Sequence, residues 1–240
     1  MSSTPTSLYE RAPLTEEAAY YNRVPIGEKL KEFFAMESTL KPGQGEAKLP
    51  ARVLEIASGS GQHAQYFVDQ FPEHIVHIVP TEYDEGTLPQ IAEVTKVGRE
   101  LGRIAAPIQL DVCNAEHWEQ EAVKGDARFD LAIVTNLTHI APWEATVELM
   151  KGVRRKLKVG GTFFVYGPFL KDGKFTTDSN EQFDRWLKRK DASFGLRDIQ
   201  AVADVAADIT ISPAGALVLE QVHEMPENNF MLQFRKVGRM

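Results

Sequence analysis

Residues 52–67 read RVLEIASGSGQHAQYF. Val53, Leu54 and Ile56 form a short apolar run that ends in small residues from Ala57 to Gly61. Phe67, Val68 and Phe71 then recur at helical spacing. A strand, a glycine turn and a helix in that order bring backbone N–H groups and a positive helix end to one point beside a sheet. Glycine lets a ligand approach the backbone where side chains would block it. The turn is therefore a candidate ligand cradle.

The alternation continues in both directions. Upstream, Pro25 suits the first turn of a helix carrying Ile26, Leu30, Phe33 and Phe34. Residues 1–13 read as a flexible arm and Leu40 to Pro50 as a linker, so residues 1–50 form an arm, cap helix and linker ahead of a single domain, 51–240. Downstream, Ile75–Val79 predicts a second strand, and Leu88, Ile91 and Ala92 the helix after it. Pro107–Leu110 predicts a third strand, followed by a helix through Trp118 and Ala122. Phe129–Val134 is a fourth. A longer helix through Val147, Met150, Val153 and Leu157 is expected to stop at Gly160 and Gly161. Thr162–Tyr166 is a fifth strand. Ser179 and Gln182 suggest a capping box before Phe183, Trp186 and Leu187, and another helix is expected from about Arg197. Leu217–Val222 and Phe230–Phe234 are too close for a helical crossover and should pair antiparallel. The expected fold is α/β: a Rossmann-like seven-stranded sheet, five parallel strands plus a C-terminal antiparallel hairpin, with helices on both faces.

Composition narrows the function. A net charge of -7 disfavours a broad phosphate-binding surface, so no nucleic-acid partner is expected. Lys151, Arg154, Arg155, Lys156 and Lys158 read as a solvated helix face. The single cysteine, Cys113, forms no intrachain disulfide and no cysteine-rich zinc site. No apolar run approaches spanning length and the first residues lack a signal core, so a cytoplasmic protein without membrane contact is expected. The sequence sets no oligomeric state.

Gly59-Ser60-Gly61-Gln62-His63-Ala64 fits a relaxed dinucleotide fingerprint, so an NAD-dependent oxidoreductase is one reading. Three acids at successive strand ends favour S-adenosylmethionine instead. Glu55 lies within the first strand, where a carboxylate needs solvent or donors, and pyrophosphate would repel it. Glu82 follows the second strand and can accept from ribose hydroxyls, with Asp84 the better helix cap. Asp111 ends the third strand and resembles the methyltransferase aspartate that accepts from the adenine amino group, with the N–H of Val112 on the ring. Ala57, Ser58, Gly59, Gly61 and His63 line the turn, and Asn136 ends the fourth strand on the cofactor side.

Methyl transfer from a sulfonium needs a well-placed nucleophile and, where it carries one, removal of a proton. His139, just past Asn136, has the intrinsic pKa of a base; its other reading is a loop hydrogen bond. Tyr166 either orients an acceptor or caps the sheet, and Trp143 either walls a pocket or staples its helix. No metal is expected, since no histidine pair at helical spacing comes with suitable acids.

Several stretches resemble the methyltransferase-like 26 family, also called domain of unknown function 938: EIASGSGQHA from Glu55, HIAPW from His139, YGPF from Tyr166, Ser179-Asn180, Phe183-Asp184, GLRD from Gly195, and MPENN from Met225. Asn22, Arg23, Pro25 and Ile26 resemble its N-terminal motif. The resemblance implies a class I methyltransferase fold and S-adenosylmethionine binding. It suggests an acceptor side of Asn22, Arg23, His139, Tyr166, Asn180 and Asn229, which otherwise read as caps, turns and buried hydrogen bonds. Glu82 stands where aspartate is commoner, Leu137-Thr138 replace a more apolar pair, and Glu227 replaces a small residue. The expected function is methyl transfer to a small-molecule acceptor, oxygen or nitrogen nucleophile unresolved. The alternatives are the oxidoreductase and a non-methylating S-adenosylmethionine-binding scaffold or enzyme.

Overall fold

A computed structural model of the chain describes residues 16–37, 50–126, 128–210 and 214–238. The expected arm and all of the expected linker but Pro50 lie outside them. Five parallel strands, β1 (Ala51–Ile56), β2 (Ile75–Glu82), β3 (Ile108–Gln109), β4 (Phe129–Thr135) and β5 (Leu157–Gly167), stand in the order β3-β2-β1-β4-β5. After the two-residue strands β6 (Phe169–Leu170) and β7 (Arg197–Asp198), which pair with each other, β8 (Ala216–Met225) and β9 (Asn229–Val237) close the main sheet. β9 runs antiparallel to β5 and to β8. The seven-stranded sheet is the one expected.

Side-chain alternation divides the core into two layers. Val53, Leu131, Ile133, Phe164 and Tyr166 face α1 (Glu16–Glu37) and α2 (Gln62–Gln70), which contribute Ile26, Leu30, Phe33, Phe34 and Phe67. Leu54, Ile56, Ala132, Val134, Phe163 and Val165 face α5 (Trp143–Lys156) and α7 (Ile199–Ala207). Between these, α3 (Leu88–Val94) and α4 (Lys96–Glu100) follow β2, and α6 (Asp178–Lys190) precedes β7. No helix among the described residues is long and apolar enough to cross a membrane.

Five local expectations are corrected. Pro25 lies inside α1 rather than in its first turn; an interior proline costs ~3 kcal/mol, offset by the contacts that the upstream turns make over the sheet. No α-helix carries Trp118 and Ala122. Trp118 sits in a short 3-10 turn, donates its indole N–H to the carbonyl of Val112 at 2.9 Å, and fills the space at Gly152 of α5. The helix ahead of the fifth strand stops at Lys156. Gly160 and Gly161 lie inside β5, where a Cβ on Gly161 would meet the backbone oxygens of Lys158 and Asp130 at 2.9 and 3.0 Å. The cap of α6 is Thr177, accepting from the N–H of Asn180, and not Ser179. The basic run is not one solvated face. Lys156 is buried against Glu119, and buried Arg154 donates to the last carbonyls of α7, where the helix dipole favours a cation.

Candidate functional site

Strand order alone lines up the ends of β3, β2, β1, β4 and β5, and Glu55, Glu82, Asp111 and Asn136 lie at or just past those ends, whereas Asn22, Arg23, Trp143 and Asn180 come from helices and Asn229 from β9. The centre is a knot between β1 and β2. The Ser58 hydroxyl donates to the Glu55 carboxylate at 2.7 Å and accepts from the N–H of Thr81 at 3.1 Å. The Thr81 hydroxyl donates to the Glu55 carbonyl at 3.0 Å. Glu55 is 4% exposed, and its burial, helped by the nearby charge of Glu82 and opposed by the Ser58 hydrogen bond, pushes its pKa up to about 7.

Glu82 grips the turn itself. One carboxylate oxygen accepts from the N–H of Gly59 at 2.8 Å, the other from that of Tyr83 at 2.7 Å. Ala57, Gly59 and Gly61 all have left-handed backbone, φ 55, 55 and 79°. The two glycines differ in purpose. A Cβ on Gly59 would meet nothing within 4 Å, whereas one on Gly61 would meet Ile91 Cγ2 at 2.9 Å and Ile91 Cα at 3.2 Å. Gly59 thus faces open space, and Gly61 lets α3 pack beneath the turn.

Asp111 stands beside this knot because the N–H of Leu110 donates to the carbonyl of Glu82 at 2.8 Å. Its carboxylate accepts from the N–H of Cys113 at 2.9 Å, its own N–H donates to His117 Nδ1 at 3.0 Å, and Val112 next to it is buried. On the other side, Asn136 follows β4 directly with φ 57° and donates its N–H to the carbonyl of Tyr166 at 2.8 Å.

His63 opens α2 but is buried, its Nε2 without a hydrogen-bond partner. Burial first, and then the charge of Arg23, push its pKa down to about 4. Arg23 reaches this place from α1, its guanidinium 4.1 Å from the Tyr20 ring centroid and 5.4 Å from that of Tyr66. The structure therefore brings Arg23 to the turn beside His63.

The acceptor-side candidates form two groups, divided by the alternation of β5. On the α1 face, the Tyr166 hydroxyl donates to Asn22 Oδ1 at 3.0 Å. Burial drives its pKa well above the ordinary phenol range, against a hydrogen bond with Asn229 and with the added repulsion of Glu227. Glu227 and Asn228 are both left-handed, and Asn180 Nδ2 holds their turn by donating to the Asn228 carbonyl at 3.1 Å.

On the other face, His139 is 4% exposed, its ring edge-to-face with Phe183 at 5.6 Å. Its loop is held by a clamp: Gly195 N–H donates to the His139 carbonyl at 3.0 Å, and Arg197 donates to the carbonyls of Thr138 and Ala141 at 3.1 and 2.7 Å. Burial, then the charge of Arg197, push the His139 pKa down to about 3. Trp143, 36% exposed, begins α5 with the Arg197 guanidinium 5.9 Å from its ring. His139 and Tyr166 are thus not brought together.

The family model described as protein of unknown function (DUF938) matches residues 14–236. The chain belongs to that family. This DUF938 chain is also similar to solved structures of methyltransferases. An O-methyltransferase family protein from Burkholderia thailandensis is 13% identical, with a TM-score of 0.62, covering 93% of this chain and 60% of that one. An O-methyltransferase family 2 protein from Planctomyces limnophilus, solved in complex with apigenin, is 14% identical with a TM-score of 0.60, covering 92% of this chain and 62% of that one. PigF, solved with SAH, is 16% identical with a TM-score of 0.59, covering 88% and 58%. The DUF938 chain therefore has the methyltransferase fold and spans about three fifths of the length of these neighbours.

Sequence reasoning missed three contributors. Thr81 has no motif of its own; its signal is a polar residue amid the apolar run of a buried strand. Arg197 lies in the GLRD stretch, and no local pattern says that it reaches back to residues 138–141. Gly167 lies in the YGPF stretch, and nothing local sets it apart from its neighbours Tyr166 and Pro168.

Proposed function

We propose that this DUF938 protein is an S-adenosylmethionine-dependent methyltransferase with a small-molecule acceptor. The observation that carries the reading is the row of carboxylates Glu55, Glu82 and Asp111 at three adjacent strand ends, facing a glycine turn with open space before Gly59. Three acids repel a pyrophosphate and suit a ligand that carries a sulfonium, an ammonium and a ribose diol. The fit is good at each point. Glu82 keeps a free lone pair on each bonded oxygen for the ribose hydroxyls. Asp111 serves the adenine amino group, with Val112 against the ring. Glu55 faces the ammonium, and Ala57, Ser58, Gly59 and Asn136 shape the floor. Gly61 and His63 support that floor from beneath, and Arg23 contributes the cation for the carboxylate end. The cofactor, when bound, supplies an electrophilic methyl group on a positively charged sulfur.

The residues of the chain then bind, orient and exclude water. A histidine with a pKa near 3 is a weak proton acceptor at neutral pH, so His139 is assigned to orienting the acceptor through hydrogen bonding. Tyr166, Asn22, Asn180 and Asn229 form the polar wall under α1, and Trp143 edges the opening on the other side. The neighbours solved with SAH and with apigenin support a methyl donor product and a flat small molecule as ligands of this fold. The resemblance to the methyltransferase-like 26 family agrees.

Isothermal calorimetry with S-adenosylhomocysteine in one titration and NAD in another tests the reading. Micromolar binding of the first and none of the second is expected. Binding of NAD alone replaces this function with that of an oxidoreductase.

A further inference from the structure

Gly167 ends β5, with its backbone paired opposite Phe230 of β9. Glycine weakens a strand and marks a bulge, a bend or a close approach by a backbone or a ligand. The usual structural reasons fail here. Its φ is not among the positive ones, and an added Cβ would meet His139 Nδ1 at 3.4 Å, His139 Cε1 at 3.5 Å and Asn136 Oδ1 at 3.6 Å, all ordinary contacts. The fold thus accepts alanine, yet the position is bare. What it is bare beside is a histidine 4% exposed whose Nδ1 has no hydrogen-bond partner. Buried polar atoms without partners are rare and call for an explanation. Asn136 is half-buried and connects this spot to the strand ends where the cofactor turn lies.

We propose that the space beside Gly167 is an acceptor-recognition niche, where a neutral hydroxyl or amino group of the methyl acceptor donates hydrogen bonds to His139 Nδ1 and Asn136 Oδ1. The proposal rests on the methyl-transfer reading and names the chemistry of the group that reading leaves open. The imidazole is neutral in its buried place, and in the tautomer that this recognition uses, with the proton on Nε2, Nδ1 offers a lone pair. An amino group supplies a proton to each acceptor and a hydroxyl to one of them. An anionic group would face two acceptors and is refused. Glycine at 167 leaves the place of a methyl group open beside both acceptors.

Gly167→Ala is the test, because it fills the niche without a clash. The His139 ring signals are followed by NMR in the full chain saturated with S-adenosylhomocysteine, adding phenol in one arm and aniline in the other. In the wild type at least one probe shifts those signals, and the arms tell hydroxyl from amino recognition. In Gly167→Ala the apparent probe affinity falls at least tenfold, while S-adenosylhomocysteine affinity is kept and the thermal midpoint stays level or rises. A His139 ring indifferent to both probes in the wild type, or equal shifts in the variant, overturns the niche alone. Absence of S-adenosylhomocysteine binding in the wild type overturns the methyl-transfer reading, and the niche with it.

Discussion

The N–H of Gly59 points 2.8 Å onto the carboxylate of Glu82. The acid expected to hold a ribose therefore also fixes the shape of the turn before any ligand arrives. Glu82→Gln keeps the size of the group and removes its charge. A charge-assisted hydrogen bond contributes about 1.5–3 kcal/mol, so S-adenosylhomocysteine affinity should fall about ten- to a hundredfold by calorimetry, with far-ultraviolet circular dichroism unchanged.

The two glycines of the turn should separate binding from stability. Gly59→Ala places a methyl group in open space at a left-handed position, which costs roughly 1–2 kcal/mol, and should weaken cofactor binding at least tenfold. Gly61→Ala drives a methyl group into Ile91. Its main effect should be a loss of stability of about 2–4 kcal/mol, read as a lower urea midpoint. Equal effects of the two variants on both readouts would contradict this division.

Glu55 predicts two pH dependences of opposite sign. Its folded pKa of about 7 lies above the unfolded value, so the native state holds the proton more tightly. The stability it contributes is full below about pH 4.5 and is lost as pH rises through 7. Glu55→Gln should therefore be more stable than the wild type at pH 8, by on the order of 3 kcal/mol at most, with the gap closing toward pH 4.5 in urea titrations. Cofactor affinity runs the other way. An ammonium needs the carboxylate ionised, so affinity should drop as pH falls below 7, with a proton released on binding that calorimetry detects in buffers of different ionisation enthalpy.

Tyr166 and Asn22 tie α1 to the sheet through a partly buried hydrogen bond. Tyr166→Phe and Asn22→Ala should each cost about 1 kcal/mol of stability. The double variant should cost less than their sum, the mark of a direct contact. Additive costs would show that the two side chains act separately.

Arg197→Met removes donors from two carbonyls of the His139 loop and its charge from beside the ring. A loss on the order of 2 kcal/mol is expected, and the pKa of His139, followed by NMR, should rise from its depressed value. Arg197→Lys should leave that pKa nearer the wild-type value than Arg197→Met does, because the charge remains. A His139 titration unmoved in both variants would show that burial alone sets it.

Much of this was legible in the residues, for definite reasons. β1, β4 and β5 are buried on both faces, so their apolar runs stand out, and parallel strands with short connections leave few topologies. The acids at strand ends were legible because a carboxylate beside an apolar run has few structural excuses. Trp118 was misread because its contact is with Gly152, 34 positions away, and periodicity sees only neighbours. The glycines at 160 and 161 were misread as a helix stop because a bulge inside β5 and a helix end use the same residues. His139 was given a solution pKa, and only the three-dimensional burial by Phe183 and the Arg197 clamp show how far it has moved. Pro25 was placed by a local rule that the long-range contacts of α1 override.

One ion pair bears on how the chain is made. Glu37, at the end of α1, meets Arg235 of β9 at 2.6 Å across 198 positions of sequence. During synthesis α1 is made long before β9, so its packing on β1, β4, β5 and α2 can form without this ion pair. This one contact of α1 can form only once β9 is in place. A chain released before residue 235 would present Phe33 and Phe34 without the salt bridge that helps hold them down, and chaperones recognise such apolar surface. Loss of Arg235 should therefore be felt at the end of α1 as well as in β9.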